Sequence, residues 1–222
     1  MIENFLQFLM GMVDSYLVAH LGLVALSGVA VANNLITIFQ AIFLALGSAI
    51  SVLLASLVDR QDSEKLANQA VEALKLTLLI SLVLGMFSLL AGPSFLLFLG
   101  AEKTVANAGG IYLALVGGHI VFLGLMTSLG AILRALGKSQ LPMYVSLLSN
   151  LLNALFSALG VFVFQAGILG VAVGTILARI IACFILWKQL PFKLAKPSWT
   201  LDRKLIGLAM PAAAERLMMR AG

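Results

Sequence analysis

The stretch "ANNLITIFQAIFLALGSAISVLLASLV" at residues 32–58 contains no charged side chain. Coiled as a helix with a rise of 1.5 Å per residue it is about 40 Å long, more than the roughly 30 Å of hydrocarbon in a bilayer. It does not alternate polar and apolar residues as a barrel strand does, and it is far longer than such a strand needs to be. Inside lipid a backbone must satisfy its own hydrogen bonds, which a helix does within the segment. The stretch therefore reads as a membrane-spanning helix, and it makes the expected fold all-α and integral to the membrane.

Outward from it the same reading recurs. Spans are expected at Phe5–His20, Ala32–Val58, Ala73–Leu99, Val105–Leu133, Met143–Phe164 and Ile168–Leu190, with a seventh beginning near Leu205 and cut at Gly222. This is a polytopic bundle of six helices plus the start of another. Between the spans lie turn and charge signals: "DRQDSEK" at 59–65, "GAEKT" at 100–104, "RALGKSQLP" at 134–142, "QAG" at 165–167 and "KQLPFKLAKPSWTLDRK" at 188–204. Composition agrees, with 62% hydrophobic and only 10% charged residues, against about 25% charged in soluble domains. Because the first span starts almost at Met1 and the last is interrupted, a longer polytopic protein is expected around this chain.

Charge sets the orientation. The second, fourth and sixth connections hold Arg60, Lys65, Arg134, Lys138, Lys188, Lys193, Lys196, Arg203 and Lys204, whereas the first and fifth hold none and the third only Lys103. The basic connections are expected in the cytoplasm, which places the N-terminus there too, in a cell-membrane protein. The formal net charge of +5 is spread over these connections and not gathered into a nucleic-acid stripe. Cys183 is the single cysteine, so no intrachain disulfide or Cys/His metal cluster arises. Asp14 interrupts the first apolar run and no basic segment precedes it, which argues against a signal peptide. No GxSxG, HExxH, P-loop or Rossmann glycine pattern occurs, so neither an enzyme nor a cofactor is expected.

The spacing of polar residues is more telling. A carboxylate at the centre of a membrane helix costs about 2.5–3.5 kcal/mol on insertion scales, so Asp14 needs a partner or a purpose. Gln7, Gly11, Asp14 and Val18 share one helix face. Asn33, Thr37, Gln40, Gly47 and Ser48 repeat that spacing in the second span, and Ser146, Ser149, Asn150, Asn153 and Ser157 repeat it in the fifth. Three polar stripes imply a polar interior surface. Against this stands the plainer reading of Asn, Ser and Thr as glue between helices, at about 0.6 kcal/mol per contact. A carboxylate is different, since intramembrane acids usually mark ion or proton pathways.

Other residues are weaker candidates. His119 in "LVGGHIVFLG" is a titratable side chain, although a histidine beside two glycines reads more simply as hydrogen-bonded across a close helix contact. Arg179 either pairs with Asp14 or snorkels to the interface. Gly170, Gly174, Ala178 and Ala182 form a small-xxx-small packing ridge. Met10 and Met12, next to Asp14, suit an adaptable apolar binding surface.

"ENFLQFLMGMVDSYLVAHLG" at 3–22, followed by "ALSGVAVANNL" at 25–35, resembles the first helix and following loop of the multidrug and toxic compound extrusion (MATE) transporters. "RALGKSQLPMYVSLLSNLLNALF" at 134–156 resembles that family's fourth helix end and fifth helix, and "KLIGLAMPAAAERL" at 204–217 its seventh helix entry. The resemblance implies half of a twelve-helix fold: a six-helix lobe at 1–190, a cytoplasmic linker at 191–204 and the start of a second lobe at 205–222, with the rest of that lobe as partner. It implies an antiporter that exports cationic or amphipathic small molecules against inward H⁺ or Na⁺ by alternating access.

Residue by residue, Asp14 matches the family's coupling carboxylate and Asn153 the asparagine near it. Ser157 stands where some members carry a second aspartate, four residues after that asparagine. Gln7, Met10, Asn33, Thr37, Gln40, Asn150 and Ser157 are the expected cavity lining, and Glu215 is a further acidic candidate near Pro211. Protonation of Asp14 would remove its charge and let the first helix repack, so that drug and proton compete for the lobe. Two rivals remain. A flippase for lipid-linked precursors would line its cavity with Arg and Lys, of which Arg179 is the main instance in the spans. A membrane scaffold would not need an intramembrane aspartate.

Overall fold

The computed structural model describes residues 15–58 and 63–191. Asp14, Gln7, Met10 and Glu215 lie outside them, as do most of the first expected span and everything from residue 192 onward. Helix α1 is the run at 15–19. It is followed by α2 (Leu23–Val58), α3 (Ser63–Phe98), α4 (Lys103–Tyr112), α5 (Val121–Ala135), α6 (Gln140–Ala158) and α7 (Gly167–Lys188). Single π-helical turns follow α4 at Leu113–Gly117 and α6 at Leu159–Val163.

The long second helix is the spine. Val29, Ile36, Phe39, Phe43, Ile50 and Leu54 are all buried, at spacings of three, four and seven that keep them on one side of α2. That side packs on α3, α4 and α5. Phe39 and Phe43 meet Leu113, Val116 and Ile120 in one core cluster, while Ile50 and Leu54 meet Leu74, Ile132 and Leu186 in a second, further along the same helix. Helices α6 and α7 form a close pair. The Cα of Gly170 would lie 2.6 Å from a Cβ built on Gly160, so the two backbones touch where only glycines allow it.

Outside the core the helices are apolar as well. Leu79, Leu82, Val83, Met86 and Leu90 on α3 are exposed, as are Leu151 and Leu155 on α6 and Val173 and Phe184 on α7. In water such a surface would aggregate, and in a bilayer it is the face that meets lipid. Four helices among the described residues are long and apolar enough to span, and the pair Lys103–Gly117 and Val121–Ala135, bent by 45°, makes a fifth.

The expected boundaries shift in physically intelligible ways. Helix α2 starts at Leu23 rather than Ala32, so "ALSGVAVANNL" is helix and not loop. Helix α3 starts at Ser63 rather than Ala73; Glu64 then sits in its first turn, where a negative charge suits the helix dipole. The hydrophobic threshold that marks a span says nothing of helix that continues into the headgroups. The expected span Val105–Leu133 is not straight, because the π-turn and the break at Gly118–Ile120 interrupt it. Helix α5 ends in a tight turn: Gly137 has φ 80°, Lys138 N–H donates to Leu133 O at 2.9 Å and Gly137 N–H to Arg134 O at 3.0 Å. A left-handed residue there satisfies carbonyls that the helix end would leave open.

Candidate functional site

Four oxygens meet where α6 crosses α7. Thr175 Oγ1 donates to Asn153 Oδ1 at 2.9 Å and lies 3.0 Å from Val171 O. Ser157 Oγ stands 3.3 Å from the same Asn153 Oδ1 and 3.5 Å from Val171 O. Ser157 is fully buried and Thr175 nearly so. The sequence places them there: Asn153 and Ser157 are one turn apart on α6, Val171 and Thr175 one turn apart on α7. Gly174 makes the approach possible, since a Cβ on it would come within 2.7 Å of Ser157 N. The result is an uncharged set of amide, hydroxyl and backbone oxygens, donors of the type hard cations take. No group of three or more His, Cys, Asp or Glu side chains occurs among the described residues.

Val171 also borders a hollow of about 250 Å³, shared with Ser15, Val18, Asn33 and Tyr112. The hollow thus joins the end of α1, the polar stripe of α2 and the carbonyl-bearing residue of the oxygen cluster. Ser15 is the described residue next in sequence to Asp14. Aromatic contacts fix this end of α1: His20 meets Tyr16 edge-on at 4.9 Å between ring centres and Phe162 at 5.5 Å.

Asn33, Thr37 and Gln40 stand on the flank of α2 beside its core face, Asn33 and Gln40 exposed and Thr37 half-buried. Asn33 and Gln40 open on different hollows. Gln40 lines a separate cleft of about 450 Å³ with Met126, Thr127, Arg134, Met143 and Ser146. Asn150 is half-buried on α6, and Ser149 beside it donates to Ala178 O on α7 at 3.3 Å.

His119 sits at the break before α5 with its ring exposed, its Nδ1 2.8 Å from Leu115 O. The bond expected across a helix contact is therefore made within its own turn. Its glycine neighbours make the close contact instead, against Ser88 and Leu89 of α3. Arg179 is half-buried on α7, one turn before Cys183, whose thiol donates to Phe122 O of α5 at 3.0 Å.

The sequence reading missed Thr175, although its place in the Gly170–Gly174–Ala178 ridge puts a hydroxyl where every neighbour is small. It also missed Glu72 and Lys75, paired at 2.7 Å on α3 with both side chains largely covered; their opposite charges three residues apart were the available signal.

The sequence model of the MatE family matches residues 1–159. The chain belongs to the MatE family. Over 99% of its length it is 26% identical to a Thermotoga maritima protein described as "Probable multidrug resistance protein NorM", covering 50% of that protein. It is equally 26% identical, over its whole length, to the Bacillus subtilis "Probable multidrug resistance protein YpnP", covering 52% of it. The chain spans about half the length of the curated relatives it matches. Among solved structures, "Crystal structure of MATE in the bent conformation" superposes with a TM-score of 0.88 over 97% of this chain and 50% of that one, at 19% identity. A Pyrococcus furiosus transporter of the MOP superfamily, described as having a binding pocket of reverse polarity that suggests a different function, gives 0.88 over 99% and 51%, at 20% identity. These likenesses show the MATE fold, and the chain is accordingly a multi-pass membrane protein of a transporter family.

Proposed function

We propose that this MatE chain is the N-terminal lobe of an antiporter that exports cationic or amphipathic small molecules from the cell, driven by inward H⁺ or Na⁺. In this reading residues 1–190 form the lobe, 191–204 the cytoplasmic linker and 205–222 the start of a second lobe, which completes the transport path. The N-terminus lies in the cytoplasm and the protein sits in the cell membrane.

The observation that supports the coupling step is the convergence of Thr175 and Ser157 on Asn153 Oδ1 beside the hollow lined by Ser15 and Asn33. Asp14, adjacent in sequence to Ser15, supplies the charge that these neutral oxygens lack. A bound proton or Na⁺ neutralises Asp14, and with the charge gone the first helix repacks against the lobe. Asn33, Thr37 and Gln40 present the polar stripe along which substrate is held. A ligand shifts an equilibrium between two states only by its differential affinity for them, so ion and substrate must prefer opposite states of the lobe.

The test reconstitutes the chain, with the second lobe the proposal requires, in proteoliposomes. Efflux of a fluorescent organic cation is driven first by a pH gradient and then by a Na⁺ gradient, for wild type, Asp14→Asn and Asn153→Ala. Loss of driven efflux in both variants supports coupling at this site. Efflux indifferent to both would move coupling out of this lobe.

A further inference from the structure

Lys138, in the turn that joins α5 to α6, reaches across to the end of α7, where its Nζ donates to Gln189 O at 3.3 Å. The two residues share a hollow of about 440 Å³ with Ser139, Gln140, Leu141 and Tyr144. The helices that frame it, α6 and α7, are long and apolar enough to span, so the hollow at their ends lies at the depth of lipid headgroups. Tyr144 and Trp187, both exposed, mark the same depth, since amphipathic aromatic rings settle at the membrane–water interface. One turn further into α6, Leu148 is exposed too, so the mouth of the hollow runs on into the face that meets lipid.

The charge at this end has one sign. Lys138 is the charged side chain among the described residues lining the hollow, and Gln189 O takes one of the three donors of its ammonium. Lys188, the neighbour of Gln189, is bent back over the Phe184 ring with its Nζ 4.4 Å from the ring centre, which keeps a second cation at this level. No Asp or Glu occurs between Glu102 and Asp202. Helices α5, α6 and α7 therefore bring no carboxylate here, whereas Lys193 and Lys196 follow in sequence.

We propose that this hollow seats the headgroup of an anionic phospholipid from the surrounding leaflet, its phosphate against Lys138 and its acyl chains along Tyr144 and Leu148. Basic pockets between membrane helices, on the side where the charge pattern predicts the cytoplasm, take such headgroups. A lipid suits the hollow better than a soluble phosphate ester because the wall beyond Tyr144 is apolar and exposed. The inference goes beyond the export reading and does not depend on it.

The experiment is native mass spectrometry of the purified protein with an equimolar mixture of phosphatidylglycerol and phosphatidylcholine of the same acyl chains, counting bound lipid of each kind. Wild type is expected to retain the anionic lipid over the zwitterionic one by about tenfold, and Lys138→Gln to lower that preference about fivefold, the effect of one lysine beside an anionic surface. Glutamine can still donate to Gln189 O, so the fold is kept. Lys138→Arg should preserve the preference, as should Lys103→Gln, which removes a charge from the start of α4. Gln140→Glu puts a negative charge in the hollow at a helix start, where it suits the dipole; it should abolish the preference and serves if Lys138→Gln does not fold. Equal retention of the two lipids by wild type, a preference untouched by Lys138→Gln and Gln140→Glu, or an equal fall in Lys103→Gln overturns the proposal. Displacement of the lipid by an equal concentration of soluble glycerol phosphate overturns it as well, because the occupant would then be a free phosphate ester.

Discussion

Thr175 Oγ1 lies 2.9 Å from Asn153 Oδ1, and this bond ties α7 to α6 in the middle of their contact. Thr175→Val keeps the shape and removes the hydroxyl, so it should cost only about 1 kcal/mol of stability, the net worth of a typical hydrogen bond. If the oxygen cluster couples ion to substrate, gradient-driven efflux should fall tenfold or more in the same variant. Asn153→Leu leaves two buried hydroxyls with Val171 O alone as acceptor and should cost more, about 1–3 kcal/mol. Thermal unfolding in detergent beside proteoliposome efflux separates the two effects.

The α6–α7 pair should be sensitive to volume at one level and tolerant at another. Gly170→Leu puts a side chain where Gly160 C is already 2.7 Å from the Cβ position, and overpacking of this kind costs about 1–3 kcal/mol or more. Gly167→Ala, at φ 57° with nothing within 4 Å, should cost about 1–2 kcal/mol through backbone strain alone. A Gly170→Leu protein as stable as the wild type would mean that the helices do not meet at Gly160.

How far the sequence could be read follows from which physics is local. Helix type and approximate span were legible because mean hydropathy is a property of a window, and the ridge at Gly170, Gly174 and Ala178 was legible because helical spacing alone puts small residues on one face. Helix ends were not, since α2 and α3 continue past the apolar window and are stabilised there by packing and by Glu64 at an N-terminus. The break near His119 was hidden because a π-turn changes no residue type. Asn153 and Ser157 were visible as a stripe, but their partner Thr175 belongs to another helix, and pairing across a crossing depends on the angle and depth at which two helices meet. Arg134 read as a topology signal because its sequence neighbours are basic and turn-forming; only the fold places it beside Gln40.

A buried hydroxyl pair should hold α3 to α5. Thr77 and Ser128 approach to 2.6 Å, both with no exposure, while Ser81 donates to Thr77 O at 2.7 Å. Thr77→Val and Ser128→Ala should each destabilise by about 1 kcal/mol, and the double variant by less than their sum, because losing both partners strands neither. Strict additivity in chemical unfolding would mean that the two hydroxyls do not bond to each other.

Cys183 offers a direct probe of whether α5 and α7 stay closed. It is the single cysteine of the chain, 8% exposed, with its thiol donating to Phe122 O at 3.0 Å. Alkylation needs both access and thiolate, and this position restricts access. In the folded protein a membrane-permeant maleimide should label less than about a tenth of what it labels after unfolding in the same time, since reaction must wait for a local opening. Intact-mass measurement counts the adduct without interference from other thiols. Labelling that speeds up under an imposed ion gradient or on adding transported substrate would show that the α5–α7 contact opens during the cycle, and labelling unchanged by either would place the moving parts elsewhere in the lobe.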